Sequence, residues 1–326
     1  MIVQSARQLI TCVIGGTGFI GQAVVQELLV QGRRVLVLGR RQVLQEALPP
    51  GVQYVVNDGS DELLRRVLQQ TDEIVDLAYA TVPQTSFQDP VNDILTNLPS
   101  TVRLFELAAQ ASLSKFVWIS SGGTVYGHSA VAYQSEEHPT NPVSPYGITK
   151  LAIEKYARLF YETCGLPVVC VRPSNAFGEG QRAYSGQGFI GTAIASILDG
   201  KVLSLYGEKG TVRDYLHVYD MARGIVAALL RGQPGEVYNV GSGQGLNNRQ
   251  VLDALAPLAA AAGAAVQVQI LPERSFDVPL NVLDSRKLTA HTGWTPTMEF
   301  PVALAKTWEW CVSQHQLTER QRHLAN

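Results

Sequence analysis

The amino-acid sequence predicts an α/β protein built on a doubly wound parallel sheet, with a smaller mixed α/β lobe in its C-terminal half. Two observations predict the sheet. Short β-branched runs alternate with amphipathic helical stretches through the first half of the chain. That order places helices on both faces of parallel strands. A glycine-rich turn, "GGTGFIG" over 15–21, sits between the first strand and the first helix.

Taken in order, "LITCVIGG" reads as a buried strand and "FIGQAVVQELLVQG" as a helix that stops at Gly32. "RRVLVLG", "VQYVVND" and "EIVDLAYA" read as the second, third and fourth strands. "TNLPSTVRLFELAAQAS" reads as a helix and "KFVWISSGG" as the fifth strand. "SPYGITKLAIEKYARLFYETCG" is a long helix, followed by the strand "PVVCVRPS". After about Asn175 the pattern loosens into short helices, turns and isolated strands, and "EVYNVG" reads as a late strand returning to the sheet. The expected division is 1–174 for the sheet domain, with the returning strand near 236–241, and 175–326 for a lobe over the C-terminal edge of the sheet. Ligands bind at that edge in open α/β folds.

Composition narrows the function. The 326 residues are 46% hydrophobic and 17% charged, a balance that supports a sizeable core. A net charge of −2 without long basic or acidic runs argues against nucleic acid or anionic membrane as partners. Cys12, Cys164, Cys170 and Cys311 form no C-x-x-C pair and read as thiols in a reducing compartment. "MIVQSARQ" does not read as a secretory signal, and "LAPLAAAAGAAVQVQI" reads as broken by Pro257 and Gly263. No apolar run approaches the ~20 residues of a membrane span. The expectation is a soluble cytoplasmic protein with no metal site.

In the glycine turn, Gly15, Gly16, Gly18 and Gly21 satisfy both G-x-x-G-x-x-G and G-x-G-x-x-G, with Thr17, Phe19 and Ile20 between them. Glycines there permit a tight turn, close approach to a pyrophosphate and close helix packing. The helix N-terminus then presents free N–H groups to phosphate. The turn therefore predicts a Rossmann-type fold that binds a dinucleotide, the alternative being a plain glycine turn. The second strand ends not in an acid but in Gly39-Arg40-Arg41. Arg40 and Arg41 suit a 2′-phosphate, which leans to NADP; the alternative is a solvated basic turn beside NAD. Asp58, after the third strand, either accepts from the adenine amine, the favoured reading, or caps the following helix.

"SPYGITK" places Tyr146 and Lys150 four apart, on one face of a helix. A free tyrosine ionises near pH ~10, and a shift of three units needs roughly 4 kcal/mol of differential interaction. A fixed cation favours the phenolate, and a buried lysine together with a positive nicotinamide ring would supply that shift. Many helices carry such a pair by chance, so the context decides. Upstream, "SSGGTVYG" over 120–127 ends the fifth strand with hydroxyls that face the cleft.

A strand-end serine, then this tyrosine and lysine, after a glycine-rich dinucleotide turn, resembles the extended short-chain dehydrogenase/reductase family. The nucleotide-sugar 4-epimerases are its nearest branch, and the resemblance covers nearly the whole chain. In that family "VRPSNAFGEGQ" places Asn175 at the sugar nucleotide. "VRDYLHVYDMA" places Arg213 on the diphosphate, and "ERSFDVP" places Arg274 on the diphosphate and Asp277 near the uridine ribose. The resemblance also implies cofactor contacts from Gly59, Leu77, Ala78, Tyr79, Asn97 and Ser174, besides Tyr146 and Lys150. "TGWTP" and "LAKTWEW" resemble the family's C-terminal end. Tyr146 is then the base that takes the sugar 4-hydroxyl proton, and hydride passes between C4 and the nicotinamide. Homodimers through helices near 98–110 and 149–163 are likewise implied.

The chain departs from the pattern in three places. Counting back from Tyr126, the usual strand-end hydroxyl falls on Gly122; counting back from Tyr146, it falls on Ser121. Ser121 is the favoured catalytic hydroxyl, with Thr124 as its substitute. Asp76 replaces the usual histidine of the fourth-strand motif. The acidic pair of the 4,6-dehydratase branch is absent, which disfavours dehydration. Besides the 4-epimerase, two readings remain. One is an NAD(P)H-dependent nucleotide 4-keto-6-deoxysugar reductase, supported by Gly39-Arg40-Arg41. The other is a nucleotide-binding regulator, against which Tyr146 and Lys150 stand. Asn281 lies seven residues after Arg274, where relatives that act on glucose and galactose often carry tyrosine. The smaller residue predicts that UDP-GlcNAc and UDP-GalNAc are accepted. Conversion of UDP-glucose by the purified protein, with UDP-GlcNAc left untouched under the same conditions, would contradict this.

Overall fold

The computed structural model describes residues 7–44, 48–129, 131–184, 187–274 and 277–325, with side chains to residue 320. Most of the segment read as no secretory signal lies outside them, as do Ser275 and Phe276 of "ERSFDVP".

The first half supplies β1 (Ile10–Ile14), α1 (Phe19–Val30), β2 (Arg34–Gly39), β3 (Gln53–Val56), α2 (Asp61–Gln69) and β4 (Glu73–Asp76). It continues with α3 (Pro83–Gln88), α4 (Pro90–Ala108), β5 (Lys115–Ile119), α5 (Pro145–Cys164) and β6 (Val168–Pro173). The second half supplies β7 (Asn175–Phe177), α6 (Phe189–Leu198), β8 (Leu203–Tyr206), β9 (Val212–His217), α7 (Val218–Arg231) and β10 (Val237–Val240). After these come β11 (Gly245–Asn247), α8 (Asn248–Ala261), β12 (Val268–Leu271), β13 (Leu280–Asn281), α9 (Arg286–Thr292) and α10 (Phe300–Ala325).

Seven strands form one parallel sheet in the order β10-β6-β5-β4-β1-β2-β3. The chain runs outward one way from β1 through β2 to β3, then outward the other way from β4. The crevice of such a sheet opens where the order reverses, at the C-terminal ends of β1 and β4. The returning strand takes the far edge, pairing Tyr238 with Val171.

Strand residues alternate between two buried faces. Val13, Val37, Val75, Val117 and Val169 pack with α1 and α7. Cys12, Leu36, Ile74, Phe116 and Trp118 pack with α2, α4 and α5. Each large side chain sealed in this way contributes roughly 1.5–3 kcal/mol. A separate core joins Phe177, Ile194, Tyr215, Leu255, Leu304 and Trp308 in the second half. There β9 pairs with β7, β11 and β13.

Several boundaries differ from the sequence reading. α4 begins at Pro90, not near 96, because Asp89 caps it through the Asn92 N–H at 2.9 Å, and it runs on through Pro99. α8 likewise continues through Pro257. α10 spans 26 residues, where only short helices were expected. β4 and β5 stop at Asp76 and Ile119, four residues short of their expected ends. α5 matches its signals: the Ser144 side chain accepts from the Gly147 N–H at 3.1 Å, Pro145 opens the helix, and Gly165 closes it at φ 67°.

The glycine turn binds α1 tightly to β1. A Cβ on Gly21 would lie 2.2 Å from the Gly15 carbonyl oxygen. Gly21→Ala should therefore destabilise the fold by about 1–3 kcal/mol, as overpacking does, and should weaken NAD binding. Urea unfolding and a fluorescence titration with NADH check both effects.

Candidate active site

At the C-terminal end of β1, Gly15 adopts φ +83°, and its N–H donates to the Leu38 carbonyl at 3.0 Å. A Cβ on Gly16 would strike Val37 at 2.9 Å, and one on Gly18 would meet the Gly15 oxygen at 3.2 Å. Gly18 caps α1 without a side-chain bond, which leaves the amides of Phe19, Ile20 and Gly21 for an anion. A cavity of about 1020 Å³ opens over this turn, lined by Thr17, Gly18, Phe19, Arg41, Tyr184 and Trp310 among others. The turn thus fits a dinucleotide pyrophosphate. Tyr146 and Lys150 do not line this cavity; they stand further along the sheet edge.

Arg40 and Arg41 are exposed beyond β2. Tyr54 approaches so closely that a Cβ on Gly39 would lie 2.8 Å from its hydroxyl, which donates to the Arg41 carbonyl at 2.8 Å. Asp58 does not cap α2. Ser60 does, and Asp58 accepts the Ser60 N–H at 2.8 Å and its hydroxyl at 2.7 Å. Gly59 turns the chain between them at φ +79°.

The loop leaving β4 connects the turn to the tyrosine. Leu77 donates its N–H to Ile14 at 2.9 Å, and a Cβ on Gly15 would lie 3.2 Å from the Ala78 nitrogen. Asp76, buried at the strand end, accepts the Ala78 N–H at 3.0 Å, which accounts for its place in the motif. Next along, the Tyr79 ring meets the Tyr146 ring edge-on, with centroids 4.9 Å apart. Asn97 is buried and accepts the Ala80 N–H at 2.8 Å, so it braces this loop from α4.

Lys150 is 3% exposed. Its ammonium donates to the Ile119 carbonyl at 2.7 Å and lies 3.8 Å from the Tyr79 ring centroid and 4.8 Å from that of Trp118. Burial pulls it down to about 7, while Asp76, Asp93 and Glu154 act the other way. Burial also lifts Asp76 to about 6. The sequence predicted a phenol made acidic by its lysine together with a bound nicotinamide ring; in the protein alone the shift runs the other way. Burial, and then Asp93, hold Tyr146 well above the ordinary tyrosine range. Lys150 lies 5.7 Å from the Tyr146 ring centroid and is itself starved of water.

At the end of β5, Ser121 is half-buried, and its carbonyl accepts from the amides of Thr124 and Val125 at 3.4 and 3.2 Å. A side chain at Gly122 has no room, since a Cβ would lie 2.5 Å from Leu283 and 3.0 Å from the Arg172 carbonyl. The Thr124 hydroxyl is buried with no partner among the described residues, as is that of Ser174. The Thr124 backbone abuts α5 beside Tyr146, because a Cβ on Gly147 would meet the Thr124 oxygen at 2.7 Å. Buried polar atoms without partners suit a polar ligand.

The second half contributes the remaining groups. Asn175 on β7 donates to the Asp214 carbonyl at 3.4 Å. Arg213 donates to the carbonyls of Val212 and Val278, both at 2.8 Å. Arg274 pairs with Asp277 at 2.9 Å and stacks 3.8 Å from the Tyr206 ring centroid. Burial lowers Arg213, while Tyr215 and Asp277 act the other way. Asn281 is 1% exposed and donates to the Gly122 carbonyl at 3.0 Å, bracing the strand-end turn from β13.

Sequence reasoning missed two buried groups, Asp93 on α4 and the pair Glu154–Arg172. Arg172 reaches Glu154 at 2.6 Å and the Tyr126 hydroxyl at 2.9 Å; Tyr126 donates to Asn239 at 2.6 Å, and Ser120 also bonds Glu154. Glu154 sits four residues after Lys150 on the same helical face, the one signal that could have found it. Glu154→Ala should strand a buried guanidinium and cost about 3–5 kcal/mol, read from the urea midpoint.

Among the described residues no cluster of side chains suits a metal, and no helix is long and apolar enough to cross a membrane. This chain is 31% identical over 314 residues to the UDP-glucose 4-epimerase of Mycolicibacterium smegmatis, covering 94% of this chain and 99% of that one. It is 30% identical to a dTDP-glucose 4,6-dehydratase of Streptomyces griseus, covering 91% and 92%. The Thermus thermophilus UDP-glucose 4-epimerase in complex with NAD is similar in structure, with TM-score 0.84 and 32% identity over 93% of this chain and 99% of that one. Residues 11–241 match the NAD dependent epimerase/dehydratase family, and with this glycine turn and this sheet edge the chain belongs to it.

Proposed function

We propose that the protein is a nucleotide-sugar 4-epimerase, acting on a UDP-hexose or UDP-N-acetylhexosamine. The observation that carries the reading is a continuous line of contact. It runs from the glycine turn through Ala78 and Tyr79 to Tyr146. Arg213 and Arg274, which the family resemblance puts on the diphosphate, would provide a second, anion-binding end. Similarity to two UDP-glucose 4-epimerases over nearly the full length supports it.

When bound, a nicotinamide dinucleotide supplies the two-electron chemistry at sugar C4 and, in its oxidised form, a positive ring charge. Tyr146 takes the C4 hydroxyl proton and later returns it. Its phenol is protonated at rest, so base action requires added positive charge and a proton-accepting pose. Lys150 supplies part of that charge. Thr124 or Ser121 hydrogen-bonds the C4 oxygen; the unpartnered hydroxyl of Thr124 favours Thr124. Arg213 and Arg274 hold the diphosphate, Asn175 meets the sugar nucleotide and Asp277 lies near the uridine ribose, while the sugar presents its other face. Asn281, withdrawn against Gly122, leaves room for an N-acetyl group.

The 4-ketoreductase reading rests on exposed Arg40 and Arg41, which suit a 2′-phosphate. The nucleotide released by denaturing the purified protein separates the two. Stoichiometric NAD(H) supports the epimerase, and an empty site that binds NADPH supports the reductase. Dehydratase relatives do not shift the reading, because positions 122–124 hold no carboxylate.

We also read the protein as a homodimer. Ile94 and Leu95 on α4, and Ile148, Tyr156 and Leu159 on α5, are exposed apolar residues on helices that pack together. On α4 they precede the expected 98–110.

Tyr146→Phe should lower interconversion of UDP-glucose and UDP-galactose by about 10²–10⁴-fold, as loss of a general base does, with the circular dichroism spectrum unchanged. Retained turnover in that variant would remove Tyr146 from its assigned role.

A further inference from the structure

The turn of α5 that carries Tyr146 and Lys150 rests on a carboxylate. Asp93 on α4 is 0% exposed. Its Oδ2 accepts from the Thr149 hydroxyl at 2.6 Å, and its Oδ1 accepts from the Thr81 hydroxyl. Thr149 lies between Tyr146 and Lys150 in the chain, and Thr81 lies two residues beyond Tyr79. Asn97, one turn along α4, donates to the Thr81 hydroxyl at 3.1 Å and to the Asp93 carbonyl at 2.8 Å. One carboxylate therefore joins α4, the reactive turn of α5 and the loop leaving β4. Among the described residues no Lys, Arg or His side chain pairs with it within 4.0 Å. A buried carboxylate without a counter-ion costs stability, and an amide could make similar hydrogen bonds without that cost.

The groups facing this region are Tyr79 from the loop, Tyr146, Lys150 and Glu154 from α5, and Asp76 from the end of β4. We propose that Asp93 is the positioning residue of the Tyr146–Lys150 pair: it clamps their helical turn to the β4 loop and sets a carboxylate against the buried turn that carries Lys150. The proposal rests on the reading of that pair as the reactive one. The direction of each electrostatic effect agrees. Asp93 raises the proton affinity of Lys150 against the pull of burial, and it raises that of Tyr146 as well. Removing its charge should move both groups downward in pH.

Asp93→Asn removes the charge and keeps the shape. The first measurement uses the dinucleotide-free protein and needs no turnover. It is the ¹⁵N resonance of the Lys150 amine, assigned by its loss in Lys150→Met. In Asp93→Asn the titration midpoint should fall by about one pH unit, the size of a typical nearby-charge effect. Both limbs of the pH–rate profile with UDP-glucose should move to lower pH. A folded Asp93→Asn protein with an unmoved Lys150 midpoint overturns the proposal. Should that variant not fold, Thr149→Val tests the clamp while leaving the carboxylate in place. Its kcat should fall about tenfold with KM within twofold, on the scale of small misplacements at a reacting centre, and Thr149→Ser should restore it. An unchanged kcat in Thr149→Val overturns the clamp. The Lys150 shift in Asp93→Asn, found alongside an unsubstituted protein that turns over no UDP-sugar, supports the placement of Asp93 and refutes the proposed epimerase.

Discussion

The active-site end of this molecule is organised by the burial of one ammonium group. Water would solvate the Lys150 cation far better than hydrocarbon does, and at 3% exposure little water remains. The fold replaces it with the Ile119 carbonyl, two aromatic faces and three carboxylates that act at longer range. Those substitutes work only if β4, β5 and α5 end at matching heights. Asp76 must close β4, Ile119 must present its carbonyl, and Ser144 must start α5 nearly two turns before Lys150.

Charge buried deeper does a different task. Glu154 and Arg172 neutralise each other, and the remaining guanidinium bond passes to Tyr126 and on to Asn239. A buried ion pair is weak evidence for stability. What it supplies here is registry, because one unbroken chain of bonds crosses α5, β6, the strand-end turn and the returning strand β10. Asp214 plays the matching part in the second half. Fully buried, it gathers the amides of Ser242, Gly243 and Leu283. It thereby fixes the segment that carries Asn281 against the strand that carries Arg213. The two halves meet through hydrogen bonds with few alternatives, so the ends of the crevice keep their separation.

Legibility followed sequence distance. The glycine turn, the Ser144 cap and the Tyr146–Lys150 face are local patterns, and the structure places them where their spacing implied. The start of α4 was read near Thr96, although the Asp89-Pro90 signal lay upstream. Asp58 was read as an adenine contact or a cap, and the residue two positions on does the capping. The electrostatics around Tyr146 were not legible in the sequence, for a non-local reason. Its partner on the helix is a cation, but burial, and then Asp93 from α4, raise it in the protein alone.

By itself, then, the sequence determined the strand–helix alternation, the dinucleotide turn, and the helical spacing of Tyr146 and Lys150. Each of these depends on residues within one or two turns of one another. Only the tertiary structure decided which carboxylates face Lys150, that no side chain fits at Gly122, and that Asn281 braces the strand-end turn. Those outcomes are set by through-space electrostatics and packing between segments up to 159 positions apart, as in the Asn281–Gly122 bond. No local pattern encodes such distances.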